Sequence, residues 1–88
     1  MGIEVEIYVN PRIQARHPDM SPATVREAWN TTLRCIPRDT DPVQWVGVGI
    51  ADGKLIEYIA IENNDETWHI FHAMKASKKT LREVGLER

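Results

Sequence analysis

The sequence predicts a single α+β domain over residues 1–88, and three observations carry that expectation. Residues 3 to 9 alternate apolar and polar side chains. Ser21-Pro22 is followed by apolar residues at helical spacing. From Val43 onward, runs of strand-forming residues are separated by strong turn signals. In order the elements read β-α-α-β-β-β-α, an antiparallel meander with helices packed on one face of the sheet and the other face left polar or functional.

In the first element, Ile3, Val5, Ile7 and Val9 alternate with Glu4, Glu6 and Tyr8, the period of a strand with one face on a core. Asn10-Pro11 breaks it, and Pro11 suits the first turn of a short helix carrying Arg12, Ile13, Arg16 and His17, which His17-Pro18 ends. Ser21 and Pro22 are an N-cap and first-turn proline, after which Val25, Ala28, Trp29, Thr32 and Leu33 fall on one helical face. That stripe places Trp29 in the core. Ile36-Pro37 and Asp41-Pro42 close the helix in a charged, proline-containing connector.

Strands are expected at about 44 to 50, 54 to 62 and 67 to 75. Asp52-Gly53 is a two-residue hairpin signal and Asn63-Asn64-Asp65 marks the second turn. Gly47 and Gly49 share a strand face with Trp45, so a helix backbone or a partner is expected to approach closely there. Ser77 caps a last helix containing Leu81 and Val84, and Gly85 stands where a left-handed C-terminal cap belongs.

Composition narrows the function classes. At 88 residues the chain holds one modest core. Its net charge of −2 is evenly distributed, five basic against six acidic residues up to position 44 and six against seven beyond it. This disfavours a globally basic nucleic-acid binder while leaving room for a local patch. Cys35 is the single cysteine, which excludes an internal disulfide, and no Cys/His spacing suggests a structural metal; it reads as a small apolar residue near a helix end. No cofactor motif is recognisable. The N-terminus lacks the basic segment and apolar run of a secretory signal, so the expectation is a soluble cytoplasmic protein without a membrane role.

The clearest chemical signal is Met74 to Arg82, which carries Lys75, Lys78, Lys79 and Arg82 with no acid, across the end of the last strand and the start of the last helix. Amides at a helix start and three lysines favour a phosphate. Lysines on an amphipathic helix are also commonly just a solvated face. His69 and His72 lie on the same strand, and strict alternation puts one toward the core side and one toward the open side. An imidazole beside a basic cluster suits proton transfer near neutral pH. Arg12, Arg16 and His17 make a second basic group. They could meet Lys75 and Arg82 across a shallow groove, or pair with Glu4, Glu6 or Asp19 at the surface.

The segments Gly49-Ile50-Ala51-Asp52-Gly53-Lys54-Leu55-Ile56-Glu57 and Trp68-His69-Ile70-Phe71-His72-Ala73-Met74-Lys75-Ala76-Ser77-Lys78-Lys79 resemble the BrnT-like branch of the RelE-type toxins of type II toxin-antitoxin systems. In that family a strand motif close to I-S-A-R-K-A-T leads into a basic final helix, in the frame of Phe71 to Ser77 here. Arg16-His17 is similar to the family's early Lys-His element. The resemblance implies a RelE-like fold and a metal-independent ribonuclease held inactive by an antitoxin protein. On that reading His72 transfers a proton, Lys75 and Lys78 contact phosphate and Arg16 positions the substrate, with Lys79, Arg82, Arg12 and His17 along the RNA path.

The sequence departs from the motif where Met74 replaces the family's arginine, and where Thr80 and Leu81 replace acidic, basic or tyrosine residues. Methionine cannot neutralise charge at phosphorus. A second expectation is therefore a catalytically inactive toxin-fold relative that binds protein or RNA. A third is a small domain whose sheet edge, or Trp45 with its glycines, packs against a second copy in a homodimer.

Overall fold

A computed structural model describes residues 6–87. Eight elements follow one another: β1 (Ile7–Val9), α1 (Arg12–Arg16), α2 (Pro22–Asn30), β2 (Arg34–Pro37), β3 (Trp45–Ala51), β4 (Lys54–Glu62), β5 (Trp68–Lys75) and α3 (Lys78–Glu83). They build one five-stranded sheet in the order β1-β5-β4-β3-β2. Strands β2 to β5 form an antiparallel meander, while β1 lies parallel to β5. The class is α+β, with a mixed sheet rather than a purely antiparallel one. The first strand begins at Ile7 among the described residues, and the expected Ile3 and Val5 positions lie outside them.

The strand count is one higher than expected. Helix α2 stops at Asn30, three residues short of the end of its apolar stripe, and the chain re-enters the sheet as β2. Thr31 and Thr32 turn it: the Thr31 N–H still bonds Glu27 O at 3.0 Å, and the Leu33 N–H already donates to Val48 O at 2.8 Å. Where β2 no longer reaches, the Thr31 hydroxyl accepts the Ile50 N–H at 2.8 Å and completes the β3 ladder. Leu33 is therefore half exposed rather than core, and Cys35 sits exposed on an edge strand rather than near a helix end.

Helices cover both faces of the sheet, not one. Val25 and Ala28 of α2 pack with Ile13 of α1, Met20, Tyr58, Ile70 and Ala73 on the first face. Val84, with Leu81 beside it, packs on Val46, Val48 and Ile59 on the second. The alternation along β3 explains the split. Gly47 and Gly49 point to the first face, where the Tyr58 ring fills the space over Gly47 and the α2 backbone at Ala28 O lies against Gly49. Val46 and Val48 point to the second. The close approach expected at the two glycines is thus met from within the chain, which removes the reason for a second copy to dock there.

Local signals act as their chemistry dictates. Asp52 and Gly53 both adopt positive φ in the β3–β4 hairpin, as a two-residue turn requires. The Ser21 side chain accepts the Thr24 N–H at 3.2 Å at the start of α2. Gly85 at φ 85° lets the Leu86 N–H reach back to Leu81 O at 2.8 Å, closing α3. Trp29 is only half buried, its ring centroid 5.4 Å from those of both Tyr58 and Trp68 in tilted contacts. Arg38, in the connector after β2, clamps Glu83 of α3 through two bonds of 2.7 and 2.9 Å. Among the described residues no helix is long and apolar enough to cross a membrane.

Candidate functional site: a histidine and arginine cleft at the edge of β5

Strand β1 pairs with β5 only from Trp68 to Ile70. Beyond that point the edge of β5 away from β4 has no strand beside it among the described residues, and α1 runs along this vacated edge. The turn that puts it there is built by Asn10: its carbonyl accepts the Ile13 N–H at 3.0 Å and its side-chain oxygen accepts the Arg12 N–H at 2.9 Å. Ile13 plugs into the core, which turns Arg12 and Arg16 outward. Four residues apart, they sit on one helical face.

The gap between α1 and β5 is a cavity of about 210 Å³. Asn10, Arg12, Ile13, Arg16 and His17 line it from one side and Phe71, His72 and Ala73 from the other. The lining contains two guanidinium groups and two imidazoles, and no carboxylate. Among the described residues neither Arg12 nor Arg16 forms a salt bridge, so the alternative of pairing with Glu6 or Asp19 is not realised. His17 is held by its own backbone, its N–H bonding Ile13 O and its carbonyl accepting the Met20 N–H, both at 2.8 Å. Its ring meets that of His72 edge-on, with centroids 6.5 Å apart.

A β-bulge decides where His72 points. His69 lies opposite Ile61 and Ile70 opposite Ala60, but the next partner of β4, Ile59, faces His72, so Phe71 is an extra residue on β5. His69 and His72 therefore share the second face of the sheet instead of dividing between two, and Ile70 and Ala73 share the first. Strict alternation fails because one residue has been inserted into the period. The two histidines are differentiated by their partners. The Asn10 amide nitrogen is 3.2 Å from His69 Nε2. Since its oxygen is already occupied by the Arg12 N–H, the amide donates and His69 Nε2 accepts.

His72 has a different partner, Glu57 on β4. His72 Nε2 lies 2.9 Å from Glu57 Oε2, and Glu57 is 6% exposed. The other carboxylate oxygen accepts the Ser77 backbone N–H at 2.8 Å and the Ser77 hydroxyl at 3.0 Å. Burial pushes the Glu57 carboxyl up, but hydrogen bonds from the Ser77 N–H, His72 and the Thr80 and Ser77 side chains together outweigh it and hold the group below the ordinary glutamate range. Glu57 escaped the sequence reading. Its signal was available, however, because along β4 the row Leu55, Glu57, Ile59, Ile61 is apolar except at this one position.

The basic cluster of the last helix is arranged differently from expectation. The Ser77 N–H, at the start of α3, is taken by Glu57 rather than left for a phosphate, and the Ser77 oxygen accepts the Thr80 N–H at 3.3 Å. Lys75, Lys78, Lys79 and Arg82 are exposed, and none of them lines the cleft. Arg12, Arg16 and His17 do converge with a β5 side chain, but it is His72 and not Lys75 or Arg82. Met74 is half buried and opposite Glu57 in the ladder. No family model, curated protein or solved structure matches the chain.

Proposed function

We propose that the chain is a metal-independent ribonuclease of the RelE-type, BrnT-like toxin class, working in the cleft between α1 and β5. The observation that carries this reading is the pair of imidazoles, His17 and His72, 6.5 Å apart in a cavity lined by Arg12 and Arg16. Cleavage of RNA at a 2′-hydroxyl needs a base, positive charge around phosphorus and an acid for the leaving oxygen. The His72 imidazole takes the 2′-hydroxyl proton as that oxygen bonds to phosphorus. The bond from phosphorus to the 5′-oxygen breaks, and His17, entering as imidazolium, protonates the departing oxygen. The products are a 2′,3′-cyclic phosphate and a free 5′-hydroxyl.

Arg12 and Arg16 supply the charge that the family motif places on β5, where this chain has Met74. A guanidinium on α1 reaches the same anion from the opposite wall, and its planar fork suits two phosphate oxygens. Lys75 continues the basic path along β5, and the same reading includes an antitoxin protein that masks the cleft.

The test is incubation of the purified protein with single-stranded RNA in the presence of a chelator, scoring 2′,3′-cyclic phosphate ends. Cleavage is expected to survive chelation and to fall about 10²- to 10⁴-fold in His72→Ala and in His17→Ala. RNA left intact by the unmodified protein overturns the proposal. Met74 favours one other reading, a non-cleaving relative, and salt-sensitive RNA binding with no cleavage is the result that selects it.

A further inference from the structure

We propose that Glu57 is the positioning residue of this cleft, fixing the neutral His72 ring with its proton on Nε2 and leaving Nδ1 as the nitrogen that accepts a proton from substrate. The inference rests on the ribonuclease reading for what Nδ1 then does. The tautomer itself belongs to the folded chain.

The argument follows from donor and acceptor counting. An ionised carboxylate only accepts hydrogen bonds. Glu57 Oε2, 2.9 Å from His72 Nε2, therefore requires a proton on that nitrogen. A neutral imidazole carries one proton, so Nδ1 holds the lone pair. The carboxylate cannot swing away, because Oε1 is bonded by both the backbone N–H and the hydroxyl of Ser77. Glu57 is buried and absent from the cleft lining, whereas His72 lines it with its side chain 30% exposed. It thus acts through the ring and does not touch the substrate.

The same geometry makes Glu57→Gln a discriminating substitution. Two donors from Ser77 demand an acceptor at the Oε1 position, which orients the glutamine carbonyl there and its NH₂ toward His72. That NH₂ donates to Nε2, so the ring proton is displaced to Nδ1 at nearly unchanged shape. His69, whose Nε2 accepts from the Asn10 amide, carries its proton on Nδ1 and serves as an internal reference.

The experiment is ¹⁵N NMR of the imidazoles of the full chain at a pH where the rings are neutral, paired with RNA cleavage by the same samples. The expected result is Nε2–H for His72 in the unmodified protein and Nδ1–H in Glu57→Gln, with kcat for RNA lowered about 10²- to 10⁴-fold and KM little changed. Ser77→Ala, which keeps the carboxylate and the backbone N–H that holds it, retains the Nε2–H tautomer. An unmodified His72 with its proton on Nδ1, or a Glu57→Gln protein with the same tautomer or the same kcat, overturns the inference. Should Glu57→Gln not fold, the unmodified spectrum decides the tautomer, and Glu57→Asp is expected to keep Nε2–H. Nε2–H in a protein that cleaves no RNA overturns the ribonuclease reading alone and leaves the control of the tautomer standing.

Discussion

Replacing Gly49 by alanine tests how α2 is seated on the sheet. A Cβ built at Gly49 falls 1.8 Å from Ala28 O and 2.7 Å from the Ala28 carbonyl carbon, both backbone atoms that no rotamer change can clear. Ordinary contact begins near 3.4 Å, so α2 has to retreat by roughly 1.6 Å. That retreat pulls Val25 and Ala28, both fully buried, away from Tyr58 and Ile70. Overpacking of a core costs about 1–3 kcal/mol, and a clash against backbone belongs at the upper end. For a domain of this size each kcal/mol lowers Tm by about 4–8 °C, so a loss of about 3 kcal/mol predicts a fall of about 12–24 °C. Thermal unfolding followed by far-ultraviolet circular dichroism measures it. A Gly49→Ala protein that melts within about 3 °C of the parent refutes the direct backbone contact.

Two further predictions concern charge. Arg16→Gln is expected to weaken single-stranded RNA binding and to reduce the slope of log affinity against log salt by about 0.7, the value of one lost phosphate contact, whereas Lys78→Gln leaves both nearly unchanged; equal effects of the two substitutions, measured by fluorescence anisotropy, contradict the cleft as the binding site. Glu57 is held below the ordinary glutamate range, so its stabilisation is complete above about pH 4.3 and is lost as pH falls through its lower folded-state value. Urea denaturation at a series of acidic pH values is expected to give a steeper loss in the unmodified protein than in Glu57→Gln, and parallel curves contradict this. Glu83 is lowered chiefly by its bond to Arg38, which both proteins keep, while the Glu57 charge that opposes this lowering is absent from Glu57→Gln.

Features set by a few adjacent residues were legible in the sequence. Asp52-Gly53, Ser21-Pro22, Ser77 and Gly85 each specify a turn or a cap through their own backbone or side-chain chemistry, and each forms it. Strand β2 was not legible, because Arg34 to Pro37 is four residues long, ends in proline and follows a stripe that continues the helical period through Leu33. Nothing local distinguishes it. Its position is set by its partner Trp45 to Val48 on β3. The cleft was legible in its parts and not in its assembly. Arg12, Arg16, His17 and His72 all stood out by type. Their convergence depends on β1 ending at Val9 and on one inserted residue in β5, neither of which a periodic reading detects.

The bulge also explains why a buried glutamate is tolerated beside an apolar row. Without the extra residue at Phe71, alternation from Ile70 would place the His72 side chain on the face occupied by α2, and Glu57 would face α3 with no imidazole opposite. A carboxylate buried without partners costs several kcal/mol, and the amide and hydroxyl of Ser77 satisfy only one of its two oxygens. The register shift brings His72 to the other oxygen. The same shift sets the ring at the strand edge, where α1 supplies His17 and the two arginines from outside the sheet. Polar satisfaction in the core and chemistry at the edge are therefore met by one irregularity, and the histidine serves both through its two nitrogens.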